Sequence, residues 1–237
     1  MSRREIFIPG GHDNGEELTL SQRAMHHAVR LLLEVIARTY FRLEVHGREN
    51  IPKSGPFIIS PIHRSYLDTP VVGAAIHRLM RYMGAEKMWT NRQLGWFLTA
   101  MGGFPVQRGS ADREALKAAL LVVERGEPLV MFPEGTRQSG PVVNEMFDGP
   151  AYISCRTGVP IIPVGLGGTE RAMPKGRKII LPVKMVVVIG EPLSPPPKKE
   201  SGRVSRNGVR EMTALLGQRI QDLFDEAQLL AGSPNSK

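Results

Sequence analysis

A chain of 237 residues, 41% of them hydrophobic, can bury a substantial core, and we read it as one domain rather than two small ones. A formal net charge of +8 and a sequence pI near 9.9 call for an anionic partner: nucleic acid, a membrane surface or a phosphorylated substrate. Aromatic residues make up only 6% of the chain, too few to interleave stacking platforms with the basic residues as single-stranded nucleic-acid binders do, so no nucleic-acid partner is expected.

Residues Met1 to Glu17 turn polar and acidic after the first few positions, unlike the charged, apolar, small-residue order of a signal peptide, and no cleaved export signal is expected. The longest apolar tract, Leu18 to Val45, is interrupted by Arg23, Arg30, Glu34, Arg38 and Arg42. It should not span a bilayer, which takes about 20 mainly apolar residues. Met25, Val29, Leu32, Leu33, Ile36 and Tyr40 recur at helical spacing with the arginines between them, so the tract reads as an amphipathic helix. Such a helix suits a membrane interface or the flank of its own domain equally well.

Short apolar runs then alternate with helical stretches, the pattern of an α/β layer structure. Strands are expected at Arg42 to His46, Pro56 to Ser60, Arg81 to Ala85, Phe104 to Val106, Leu129 to Phe132, Ile161 to Gly165 and Val183 to Ile189. Helices are expected at Pro70 to Leu79, Gln93 to Met101, Asp112 to Arg125, Pro150 to Thr157 and Asn207 to Leu230. The fold expected is a single α/β domain with a mostly parallel or mixed central sheet flanked by helices, preceded by the amphipathic helix. Pro192 to Asn207, rich in proline and basic residues, reads as an extended link that returns the last helix to the body. Cys155 is the lone cysteine, so no internal disulfide can form; it reads as a buried small side chain in a reducing, cytoplasmic setting.

Chemistry concentrates where strands end. The run Phe57, Ile58, Ile59 leads into SPIHRSYLDTP, which puts His63 on a loop leaving the sheet, where open sheets form their sites. Residues five apart point about 140° from each other on a helix, so His63 and Asp68 cannot share a helical face. Pro70 suits a first turn, with Thr69 or Asp68 as its cap, and a helix starting after Asp68 lets the loop fold His63 onto the carboxylate. That contact would fix the histidine tautomer and free the other ring nitrogen as a general base. The alternative is that Asp68 only caps the helix and His63 bonds to backbone. Ser65 reads as a loop hydroxyl, because the chain has no G-x-S-x-G elbow.

Two further clusters, GGFPVQRG at Gly102 to Gly109 and FPEGTRQSG at Phe132 to Gly140, each end in an arginine beside glycine. Arg108 and Arg137 are planar donor forks that match phosphate oxygens. Glu134 looks out of place beside phosphate; it could orient Arg137, accept from a substrate hydroxyl, or cap a turn.

Together H-x4-D at His63 to Asp68, G-G-F-P-V-Q-R at Gly102 to Arg108, F-P-E-G-T-R at Phe132 to Arg137 and V-P-I-I-P-V at Val159 to Val164 resemble the glycerophospholipid acyltransferase family, whose best-known members are lysophosphatidic acid acyltransferases. The resemblance implies an acyl-CoA or acyl-carrier-protein donor, a lysophospholipid acceptor, no metal or cofactor, and attachment at the cytoplasmic face of an anionic membrane as a peripheral or monotopic protein. It divides the chain into a tail and membrane-associating helix at 1–41, an acyltransferase domain at 42–230 and a flexible tail at 231–237. His63 becomes the base and Asp68 its partner. Arg108 would bind acceptor phosphate, Glu134, Gly135 and Arg137 would form the acceptor site, and Lys87 is a lesser phosphate contact. Pro160 and Pro163 would shape a strand beside the acyl-binding region.

The chain departs from the family pattern at Ile62, where asparagine is common, at Met88 and Trp89 after Lys87, and at Asp148 after Phe147, where lysine is usual. These positions lie on the acceptor side. The acceptor is therefore lysophosphatidic acid, another lysophospholipid or a glycolipid hydroxyl. Hydrolysis of the thioester, and a catalytically silent basic membrane-surface protein, are the rival functions.

Overall fold

The computed structural model describes residues 19–106, 113–174, 179–197 and 204–233. The seven expected strands form one sheet in the order β1-β7-β6-β2-β5-β3-β4. They are β1 Glu44–His46, β2 Ile58–Pro61, β3 Arg81–Ala85, β4 Gly103–Val106, β5 Leu129–Val130, β6 Ile161–Gly167 and β7 Val186–Ile189. Strands β6, β2, β5, β3 and β4 run parallel, while β7 is antiparallel to β6 and carries β1 parallel to itself. Every residue of β2 and β6 is buried. Strands covered on both faces need no polar alternation, which is why their sequences read as unbroken apolar runs.

Among the described residues seven helices surround the sheet: α1 Leu20–Thr39, α2 Asp68–Ala75, α3 Arg92–Ala100, α4 Arg113–Glu124, α5 Gly149–Thr157, the single turn α6 Thr169–Ala172 and α7 Arg206–Leu230. The β2-α2-β3 and β3-α3-β4 connections step one way across the sheet, whereas β4-α4-β5 and β5-α5-β6 step back. With right-handed crossovers this places α2 and α3 on one face and α4 and α5 on the other. Helix α7 joins α5 and lies along β6. A Cβ on Gly165 or Gly167 would meet the α7 carbonyl oxygens of Leu223 or Ala227 at 2.1 Å, so two glycines in β6 are what allow so close an approach.

Helix α1 opens with a capping box: the Gln22 amide donates to Thr19 Oγ1 at 3.3 Å and the Thr19 amide to Gln22 Oε1 at 2.9 Å. It packs on α2 and α3 through a side that buries Gln22 and Ala37. Leu20, Leu31, Leu32, Val35 and Ile36 remain exposed on the other side. No helix among the described residues is long and apolar enough to cross a membrane.

The ends of several elements differ from the sequence expectation. Strand β1 starts at Glu44 because Arg42 takes a left-handed conformation (φ 49°) and its guanidinium reaches the Pro182 carbonyl. Helix α2 starts at Asp68 itself and stops at Ala75, since Ile76 turns extended and Arg78 donates to the carbonyls of Pro52 and Gly55. Two single 3-10 turns, Arg48–Asn50 and Glu86–Trp89, carry no sequence periodicity that would announce them. Ala231, expected to open a loose tail, is only 5% exposed and its carbonyl accepts from Arg171, so the packed body extends past 230.

Candidate active site

Five parallel strands deliver their carboxyl ends to one edge of the sheet, and the chain order reverses across it: from β2 it moves out through β3 to β4, then returns to β5 beside β2. A crevice at such a switch point is where open α/β sheets hold their ligands. The His63 loop leaves β2 there, the loop with Glu134 and Arg137 follows β5, and Lys87 follows β3.

Ile62 is fully buried and its amide donates to the Val164 carbonyl, which extends the pairing of β2 with β6 up to the loop. His63 then turns its ring flat against Phe132, with centroids 4.0 Å apart and planes 29° apart. His63 Nδ1 lies 3.0 Å from Asp68 Oδ2. The same oxygen accepts the Arg64 and Ser65 amides, each at 2.6 Å. A carboxylate oxygen that receives backbone N–H groups acts as an acceptor, so Nδ1 is the donor of the contact. The Asp68 side chain is fully buried while 17% of the His63 side chain is open to solvent. The pair thus joins a shielded carboxylate to a ring that solvent can reach.

Asp68 acts in the reverse sense to a helix cap. It occupies the first turn of α2, but its carboxylate faces the amides upstream of the helix, and the cap position is taken by Leu67, which has no side-chain bond to give. Ser65 is buried, and its hydroxyl donates to the Met173 carbonyl at 3.3 Å, as a loop hydroxyl should.

Glu134 has a different partner from Arg137. Its Oε2 accepts the His63 amide at 2.8 Å, and both its oxygens accept from Arg64 Nη1, at 2.6 and 2.9 Å. Arg64 is 3% exposed, and its remaining donors reach the carbonyls of His63, Gly140 and Val142. Its guanidinium also lies over the Phe224 ring of α7. A buried carboxylate needs a buried cation, and here the two together grip the backbone of His63 on both its amide and its carbonyl. The described bonds of Glu134 go to His63 and Arg64 rather than to Arg137. The sequence carried the signal for Arg64 in Glu134 itself, an acid among arginines in a block otherwise suited to anions. An arginine beside a surface loop reads as solvated, so Arg64 passes unnoticed.

Arg137 stands half-buried with its guanidinium carbon 3.3 Å from the Tyr66 ring centroid. Gly135 adopts a left-handed turn (φ 67°) that favours glycine, and a Cβ there would meet the exposed Phe147 ring at 2.7 Å and push it aside. Lys87 is exposed on the turn after β3. Arg108 lies outside the described residues. Among the described residues no group of three His, Cys, Asp or Glu side chains could hold a metal ion. Cys155 is buried against Met212, and burial pushes its thiol pKa up, which keeps it a packing group.

Comparisons with known proteins converge on one family. The model of the family described as Acyltransferase matches residues 42–167. A 1-acyl-sn-glycerol-3-phosphate acyltransferase of Bacillus subtilis is 28% identical over 200 residues, 84% of this chain and 96% of that protein. A chloroplastic protein of the same name from Brassica napus is 28% identical over 164 residues, but this chain spans only 47% of its length. Among solved structures, the crystal structure of PlsC, the 1-acyl-sn-glycerophosphate (LPA) acyltransferase of Thermotoga maritima, matches with a TM-score of 0.67 at 26% identity. The match covers 86% of this chain and 83% of that one.

Proposed function

The chain belongs to the Acyltransferase family and is an O-acyltransferase, and from that premise we propose that it moves a fatty acyl chain from a thioester donor to the free hydroxyl of 1-acylglycerol-3-phosphate. The donor is acyl-CoA or acyl-carrier protein. The observation that carries the reading is the His63 and Asp68 contact at the mouth of the parallel sheet, with Nε2 as the accessible basic atom.

His63 Nε2 removes the proton from the acceptor hydroxyl as its oxygen attacks the thioester carbonyl. Asp68 holds the imidazolium that forms. Collapse of the tetrahedral intermediate expels the thiolate, which takes the proton back from Nε2, leaving an ester and a free thiol with no acyl-enzyme. Backbone amides of the strand-end loops are the donors we assign to the oxyanion. Glu134 and Arg64 keep the base in place, while Arg137, with Arg108 and Lys87, binds the acceptor phosphate. A phosphate matches a guanidinium fork and explains the basic loops better than water as acceptor does.

Access to such lipids fits the outer face of α1. Exposed Leu31, Leu32, Val35 and Ile36 form an apolar stripe, and Ile179, Ile180 and Leu181 are exposed beside the end of the helix, where Tyr40 Oη donates to the Ile180 carbonyl at 2.9 Å. An apolar stripe left open on a basic protein suits insertion into the surface of an anionic membrane, here its cytoplasmic face. Liposome binding should weaken with added salt but persist in part; binding insensitive to salt would leave insertion alone as its basis.

Labelled acyl-CoA supplied with and without 1-acylglycerol-3-phosphate tests the reaction. Thiol release that requires the acceptor is expected. Release without it would make the protein a thioesterase, and no release in either case would make it a silent surface protein.

A further inference from the structure

Tyr66 lies within the His63 to Asp68 loop and is 65% exposed, although Arg64, Ser65 and Asp68 around it are buried. Its ring has one described partner, the Arg137 guanidinium, whose carbon stands 3.3 Å from the ring centroid. All five guanidinium N–H bonds lie in the plane of the group. A ring against one face therefore covers the cation without occupying its donors, and among the described residues none accepts a hydrogen bond from them. A long arginine side chain would otherwise sample many rotamers on a surface loop. Stacking holds the fork in one orientation with its donor edge open.

The loops on both sides of the stack are fixed to the base. Asp68 Oδ2 gathers the Arg64 and Ser65 amides immediately before Tyr66. The amide of Gln138, next to Arg137, donates to the His63 carbonyl at 2.9 Å. Tyr66 and the base thus share one short, pinned loop, and Arg137 rests on it.

We infer that Tyr66 is a positioning residue for the acceptor: its ring sets the Arg137 fork at a fixed span from His63 Nε2, so that one loop gauges the separation between the reacting hydroxyl and the phosphate. The inference rests on the reading of Arg137 as a phosphate ligand. It adds a residue whose aromatic ring, rather than its hydroxyl, matters, and it makes acceptor length the property that the loop selects.

Steady-state kinetics of Tyr66→Ala, Tyr66→Phe, Arg137→Ala and the Tyr66→Ala/Arg137→Ala double variant, with 1-acylglycerol-3-phosphate and acyl-CoA, test it. Tyr66→Ala should raise the acceptor KM roughly 2- to 5-fold, the size of an exposed cation–π contact, and leave the donor KM unchanged. Tyr66→Phe keeps the ring and should recover the acceptor KM. Adding Tyr66→Ala to Arg137→Ala should change nothing further, because the ring acts only through the guanidinium. The inference is overturned if Arg137→Ala raises the acceptor KM while Tyr66→Ala does not, if the two effects multiply, or if Tyr66→Ala lowers kcat alone. An acceptor KM unmoved by Arg137→Ala would instead remove the phosphate reading, and this inference with it.

Discussion

Between His63 and Asp68 the chain faces two environments. Toward the sheet, Asp68, Arg64 and Glu134 are buried and tied by hydrogen bonds to the backbone around His63. Toward solvent, Tyr66, Arg137 and Lys87 are exposed or half-buried, and the one contact described among them is that of the guanidinium over the ring. The inner side is a fixed frame in which every displacement leaves a buried charge unpaired. The outer side presents donors with unused capacity. The proposed acyl transfer to a lipid acceptor needs the first to hold an atom still and the second to be completed by substrate.

The contrast can be broken most sharply at the base. His63→Ala should lower kcat by roughly 10²- to 10⁴-fold while the unfolding midpoint stays near that of the wild type, since the ring is a loop group. Near-normal turnover in that variant would end the assignment. Next comes the frame. Arg64→Ala leaves the Glu134 carboxylate buried without its cation and should cost about 3–5 kcal/mol in urea unfolding. Replacing both partners with apolar residues, Arg64→Met with Glu134→Leu, should restore most of that stability and little of the activity. Recovery of both would show that the pair only fills space.

On the outer side the effects should be smaller and confined to one substrate. Losing charge-assisted hydrogen bonds to phosphate costs about 1.5–3 kcal/mol, so Arg137→Ala should raise the acceptor KM roughly 10- to 100-fold with the donor KM unmoved. Equal effects on both would argue against a phosphate role. Lys87→Ala should shift the acceptor KM by under about threefold, and less at high salt, as befits an exposed cation.

The smallest effect belongs to α1. His26 is half-buried against α3, and burial followed by the charges of His27 and Arg30 lowers its pKa below the ordinary 6.5. The unfolded segment then binds protons more readily than the docked one, so docking is undiminished above that value and weakens as pH falls through and below it. Faster amide exchange in α1 at acid pH, with α7 unchanged, is the expected reading.

The sequence shows the frame of the fold well and its hidden contacts poorly. The central strands are legible because buried strands are apolar on both faces, and β2 and β6 are the clearest of them. The junction after β2 is legible as a place for chemistry. The inward use of Asp68 is not, because an acid near a helix start reads as a cap, whereas this one serves amides behind it. Arg64 is hidden for a related reason. Its partners are an acid 70 positions away, loop carbonyls at Gly140 and Val142, and a ring in α7, none of which leaves a local pattern. Helix α1 shows the opposite difficulty: its amphipathic pattern is plain, but nothing in the pattern says that Leu32 and Ile36 would face outward.

The support for Arg64 has a consequence in time. Phe224 of α7 lies beneath its guanidinium, and Gln221 of the same helix binds the Val143 amide and the Pro141 carbonyl, steadying the segment whose carbonyls Arg64 uses. Helix α7 leaves the ribosome after every motif of the site has been made. A nascent chain with its base, its acid and its arginines already in place would still have its central ion pair open to water. The support of His63 is therefore complete only once α7 has packed against the loop that Arg64 holds.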